Sequence, residues 1–147
     1  MANANSPARL ALRLIYEDEH LVQIEAHLAA GAWAGASTAY TTLDQLLSSA
    51  VELETFARRL SGDFSLVAGA DNGTGLITLR FHPLDRARHI GCAVTFATAT
   101  ASNTPETSTR LHIELKTEAA ALDRFVSELR DLAKRQRRDA TLDVAAA

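Results

Sequence analysis

The chain has 147 residues, the length of one domain, and its 15 basic and 18 acidic side chains leave a formal charge of −3, too mild to mark a nucleic-acid binder. No run approaches the roughly 18 apolar residues of a membrane helix, and a single cysteine, Cys92, excludes a disulfide scaffold. The hydrophobic share of 47% includes 28 alanines, so the core must be built from a modest set of larger side chains.

Residues 1–8 carry neither the basic nor the apolar region of a secretory signal. With one unpaired thiol, this sets the expectation of a reducing cytoplasm. Residues 1–8 and 139–147 read as flexible termini around a single domain over 9–137. Charge is uneven along the chain. Residues 1–73 hold four basic and nine acidic side chains, residues 74–147 eleven and nine. Part of the second excess is the run Lys134, Arg135, Arg137 and Arg138, expected in the last turns of a helix, where cations suit the negative end of the dipole.

Taken in order, residues 9–16 alternate, with Leu10, Leu12, Leu14 and Tyr16 on one face and Arg9 and Arg13 on the other, the period of a half-buried strand. Glu17-Asp18-Glu19 makes a polar turn, and Val22, Ile24, Ala26 and Leu28 restart the alternation. A weaker third strand covers residues 33–41. Thr42 and Gln45 stand at the spacing of a capping box. Behind them Leu46, Ala50, Leu53, Ala57 and Leu60 form one apolar helical stripe, stopped by Ser61-Gly62-Asp63.

The second half begins with a short strand over 64–68 and an Asn72-Gly73 pair that favours a tight hairpin. Ile77, Leu79 and Phe81 then alternate with Thr78, Arg80 and His82. Ile90, Cys92, Val94 and Phe96 follow, and after a polar loop come Leu111, Ile113 and Leu115. Thr117 is placed to cap a last helix with the stripe Leu122, Phe125, Leu129 and Leu132. The expected fold is α+β: an antiparallel sheet of six or seven strands, in the order βββα-ββββα, with both amphipathic helices on one face. Both helices contain Leu-x-x-Phe-x-x-x-Leu, at Leu53, Phe56 and Leu60 and at Leu122, Phe125 and Leu129. Any amphipathic helix can produce that pattern, so it does not by itself establish a repeat.

Such an arrangement leaves the other sheet face open, displaying Arg13, Gln23, Glu25, His27, Arg80, His82, His89, Arg110, His112 and Glu114. Solubility alone requires polar side chains there. The preference for Arg and His over Lys and Glu favours a recognition surface. Chemistry is sparse. Cys92 shares its face with Ile90, Val94 and Phe96, away from His89, and reads as a core residue. His82, His89 and His112 are the nearest approach to a metal set, without the spacing that pre-forms zinc ligands. Gly69, Gly73 and Gly75 do not lead into a helix, so they offer no phosphate cradle. No nucleophile–base or paired-acid arrangement survives, and neither a cofactor, a catalytic residue nor a metal is expected. The densest acidic cluster, Glu17, Asp18 and Glu19, is a contact candidate for a cationic partner.

Residues 39–42 (Ala-Tyr-Thr-Thr), the run from Leu53 to Leu60 with Ser61-Gly62, Leu79-Arg80-Phe81, Asp85 with His89, and Thr117-Glu118 before Leu122-Asp123-Arg124-Phe125 resemble, in that order, the small bacterial WapI-type immunity proteins. The resemblance spans residues 9–132 and rests mainly on packing positions. Arg88-His89 stands where a Gly-His pair is usual, and the helix after Thr42 is longer. What it implies is a cytoplasmic, non-enzymatic inhibitor that occludes a toxin domain, with neither nucleic acid nor membrane as partner. The contact residues then expected are Glu17, Asp18, Glu19, Glu25, Arg80, His82, His89, Arg110 and His112. The alternative is a small-molecule or metal-binding domain using the histidines of the open face, or an orphan structural domain. Oligomeric state is not legible.

Overall fold

A computed structural model describes residues 8–70, 75–98 and 109–147. The chain is α+β, with the elements β1 Ala8–Glu17, β2 Val22–Ala30, β3 Trp33–Thr41, α1 Leu43–Arg59, β4 Phe64–Gly69, β5 Gly75–Pro83, β6 His89–Thr98, β7 Thr109–Glu118, α2 Ala119–Ala133 and β8 Asp139–Ala146. The strands form one antiparallel sheet in the order β3-β2-β1-β8-β7-β6-β5-β4. The Asn72-Gly73 turn and the polar loop at 99–108 lie outside the described residues.

Three expectations need correction. The sheet has eight strands rather than six or seven, because residues 139–146 are not a loose end. Ala140, Leu142 and Val144 are buried, and β8 pairs with β1 along six registered positions from Ala8↔Val144 to Arg13↔Asp139. The domain therefore runs through residue 146, and Ala8 belongs to β1 rather than to a flexible lead-in. The third correction is the start of α2. Glu118 is its N-cap and makes no side-chain cap bond, while the Thr117 hydroxyl donates instead to the Asp143 carbonyl at 2.7 Å.

The first helix begins much as expected. Thr42 adopts an extended backbone and its side chain accepts from the Gln45 N–H at 3.1 Å. The reciprocal half of the box is replaced, since the Gln45 side-chain oxygen Oε1 accepts from the Thr41 hydroxyl at 2.9 Å. The helix closes with Leu60 in the left-handed conformation. Side chains at 10, 12 and 14 of β1, 24, 26 and 28 of β2, 77, 79 and 81 of β5, and 90, 92, 94 and 96 of β6 all point inward. They merge with the buried stripes of both helices into one core. Phe56 and Phe81 meet in that core, with ring centroids 6.5 Å apart.

The order of elements repeats. Residues 8–69 and 75–146 each run βββαβ, and each repeat sends its last strand into the other half, giving β3-β2-β1-β8 beside β7-β6-β5-β4. The registers repeat as well: Leu12↔Ala26↔Ser37 corresponds to Leu79↔Val94↔Ile113. In the helices, buried Leu46, Ala50, Leu53, Phe56 and Ala57 correspond to buried Leu122, Val126, Leu129, Leu132 and Ala133, each 76 positions on. The shared Leu-x-x-Phe motif pairs Leu53 with Leu122 and is one heptad out of this structural register.

Two features shape the surface. The seam between the halves is short, because β7 and β8 pair only at Leu115↔Ala146 and Lys116↔Ala145. At the opposite end of the strand order the sheet curls until β3 touches β4, β5 and β6. There the Ser37 hydroxyl approaches the Ala97 carbonyl at 3.1 Å and the Leu76 carbonyl at 3.4 Å. Gly75 permits this approach, since a Cβ at that position would lie 1.9 Å from the Thr38 carbonyl oxygen.

Candidate functional site

The open face of β5, β6 and β7 is built on a strand of small residues. Gly91, Ala93, Thr95 and Ala97 of β6 point outward between longer side chains, Arg80 and His82 from β5 and Arg110, His112, Glu114 and Lys116 from β7. Alternation makes this unavoidable, because the opposite parity of each strand fills the core. The result is a row of small residues along β6 bordered by polar side chains. The His82 ring lies directly over Gly91, where a Cβ would come within 2.4 Å of it.

Most of these side chains are held. Arg80 donates through Nε and Nη2 to Asp63 Oδ2 at 3.0 and 2.9 Å. His89 Nδ1 lies 2.7 Å from Asp85 Oδ2. This hydrogen bond, with those from the Ala87 and His89 N–H groups to Asp85 Oδ1, holds the Asp85 carboxyl below its ordinary range. On the neighbouring β1–β3 face, Glu25 pairs with His27 at 2.5 Å. Arg110 stands exposed on β7, opposite Ala97.

Thr95 Oγ1 lies 2.8 Å from His112 Nδ1, and His112 Nε2 lies 3.2 Å from Glu114 Oε1. A hydroxyl, an imidazole and a carboxylate in line have the outline of a nucleophile relay. Among the described residues no oxyanion-binding groups accompany the relay. It stands on an exposed face, and β6 is laddered on both sides, so its backbone N–H groups are not aimed at a developing oxyanion. The hydrogen bonds fix the orientation of the His112 ring.

The three histidines proposed as a metal set do not converge. His82 flanks Gly91 and His112 flanks Thr95, four residues apart along β6, or roughly 13 Å at the rise of a strand. His89 turns to Asp85. Among the described residues no group of three or more His, Cys, Asp and Glu side chains is placed to hold a metal ion. Cys92 is fully buried, and that burial pushes its thiol up to about 12.

The acidic turn is largely consumed within the molecule. Glu17 forms an ion pair with Arg135. Asp18 Oδ1 accepts from the His20 and Leu21 N–H groups at 2.8 and 2.9 Å, while the Tyr16 hydroxyl donates to Oδ2 at 3.1 Å. The two backbone bonds lower the Asp18 carboxyl, and the hydrogen bond to that carboxylate, with its charge, raises the Tyr16 hydroxyl. Glu19 alone of the three makes neither an ion pair nor a side-chain hydrogen bond among the described residues. The basic run at 134–138 also differs from expectation: α2 ends at Ala133, and the run forms the connection to β8, with Arg137 reaching Asp139 at 3.3 Å and Glu128 at 3.5 Å.

Sequence reasoning missed two surface features. At the β7–β8 seam a cleft of about 390 Å³ opens beside the first turn of α2, lined among others by His89, Lys116, Glu118, Arg124 and Asp143. The β5–β6 turn beside it exposes Leu84, Arg86 and Arg88. The only signal in the sequence was an Arg-rich turn after Pro83, which reads as an ordinary solvated loop. No helix of the described residues is long and apolar enough to cross a membrane. Comparison with protein-family models, curated proteins and solved structures finds no match for this chain.

Proposed function

We propose that this protein is a non-enzymatic binding module that engages a protein partner through the open β5–β7 face, most plausibly as an immunity-type inhibitor acting in the cytoplasm on a bacterial toxin domain. The observation that carries this reading is the composition of that face. Arg80, His89 and His112 are fixed by ion pairs and hydrogen bonds above a strand of small residues, a surface already ordered before contact. Preordered side chains lose little entropy on binding, so such a face favours a rigid partner over a flexible ligand. The resemblance to WapI-type immunity proteins supplies the inhibitor class and brings no catalytic residues with it.

The inhibitor class has its own test. A protein co-purified with this one is expressed alone and then together with it. The reading predicts that growth is arrested in the first case and restored in the second. A co-purified protein that is harmless alone would overturn the inhibitor class.

A further inference from the structure

We infer that the partner surface meeting the seam end of the sheet is acidic, and that Leu84, Arg86, Arg88 and Lys116 form the anchor that meets it. The inference rests on the protein-binding reading and deepens it by assigning the chemistry of the partner.

The two repeats carry equivalent turns of opposite charge. In the β1–β2 turn Asp18 accepts backbone N–H groups and is flanked by Glu17 and Glu19. In the β5–β6 turn Asp85, 67 positions on, does the same and is followed by Arg86 and Arg88. Their charges are spent differently. At the first turn Glu17 is neutralised by Arg135. At the second Asp85 is bound to His89 and to two backbone N–H groups, while Arg86 and Arg88 stand exposed with no ion pair among the described residues.

Arg88 holds a left-handed backbone, φ 68°, uncommon for a side chain other than Gly or Asn. Leu84, beside the two arginines, is 46% exposed. Lys116 is exposed on the same end of the sheet, registered with Gly91. The nearby Arg124 is matched by Asp143 at 3.3 Å, and Glu118 is the one acidic side chain at the cleft without a partner of this kind. Three cations without an ion pair, Arg86, Arg88 and Lys116, thus share this end of the sheet with exposed Leu84, against two carboxylates, Asp85 and Glu118, that have no Lys or Arg partner among the described residues. Arginine is among the side chains enriched at interface hot spots, and the complement of a cationic patch that exposes one leucine is an apolar notch rimmed by carboxylates.

A nucleic acid fits less well. Its phosphates demand an unbroken basic track, whereas the carboxylates Asp85 and Glu118 interrupt this one. The patch also exposes no Phe, Tyr or Trp on which a base would stack.

The test uses the full chain, isotope-labelled, titrated at low salt with a 20-residue polyglutamate and separately with a 20-nucleotide oligothymidylate while backbone amide shifts are followed. The inference predicts that polyglutamate moves the amides of residues 84–89 and 116, and that Arg86→Glu with Arg88→Glu weakens its binding at least tenfold. Shifts centred elsewhere, or a reversal variant that binds as wild type does, would overturn it. Equal or stronger binding of oligothymidylate at the same residues would overturn the commitment to a protein partner. Both substitutions are on an exposed turn, and an unchanged amide spectrum of the core checks that the variant folds. Where a partner has been captured, loss with this variant supports the anchor, and retention refutes the anchor while leaving the binding-module reading standing.

Discussion

Replacing Gly75 by alanine probes the closure of the sheet. An alanine Cβ at this position would lie 1.9 Å from the Thr38 carbonyl oxygen, against the roughly 3.3 Å that a carbon and an oxygen tolerate. The two backbones must part by about 1.4 Å. That movement carries Ser37 out of reach of the Ala97 and Leu76 carbonyls, now 3.1 and 3.4 Å away. The Ser37 hydroxyl has one proton to donate, so the loss is one hydrogen bond at about 0.5–1.5 kcal/mol, which with overpacking of about 1–3 kcal/mol gives an expected loss of about 1.5–4.5 kcal/mol. For a chain of this length that is a fall in melting temperature of roughly 10 °C. Urea denaturation measures it, with the slope unchanged and the midpoint lowered. Gly62→Ala is the control. Gly62 has φ 73° with nothing within 4 Å of its Cβ position, so only a conformational cost of about 1 kcal/mol is expected. A Gly75→Ala protein as stable as Gly62→Ala would refute the argument that β3 rests on that glycine.

Three further outcomes follow from the core and from the surface. Leu142 is fully buried on β8, so Leu142→Ala should destabilise by about 2–5 kcal/mol; a change under about 0.5 kcal/mol would return residues 139–146 to the status of a loose end. Cys92, with its thiol pushed up to about 12, should resist alkylation at pH 8 in the native protein and react once unfolded. Rapid native labelling would contradict its burial. Asp85→Asn should lower stability at neutral pH, the His89 bond to the carboxylate being the principal contribution removed. Because the folded carboxyl titrates below its unfolded value of 3.8, this stabilisation is complete above that value and vanishes as pH falls through the folded one. Stability curves of the two proteins should therefore converge in acid, and a gap that widens with falling pH would reverse the sign.

Legibility of the fold varied with the range of the interactions that decide each element. β1, β2, β5 and β6 alternate apolar core side chains with polar or small ones, a local pattern that residues 10–14 or 90–96 carry by themselves. β8 alternates too, at Ala140, Leu142 and Val144, but its small residues and terminal position made the signal weak. What makes it a strand is the free edge of β1, more than 120 residues earlier. Thr117 was misjudged for the same reason, since its hydroxyl serves a β8 carbonyl that the expected fold did not contain. The acidic turn was visible as a cluster, but its neutralisation by Arg135, 118 residues away, was not. Helix periodicity located both stripes while misregistering the repeat by one turn pair, because a heptad shift leaves an amphipathic pattern nearly unchanged. For the candidate site, strand parity correctly placed Arg80, His82, His112 and Glu114 on the open face. Their distances along β6, which exclude a shared metal, depend on ladder register.

The most direct test of the binding-module account is capture from a lysate of the source organism, at low and then moderate salt, with the wild-type protein beside an Arg80→Glu, His112→Glu, Glu114→Arg variant of the open face. The account predicts one dominant partner for the wild type, held at least tenfold more weakly by the variant, while the melting curves of the two proteins stay close. No dominant partner at either salt, or equal capture by both proteins, would contradict it.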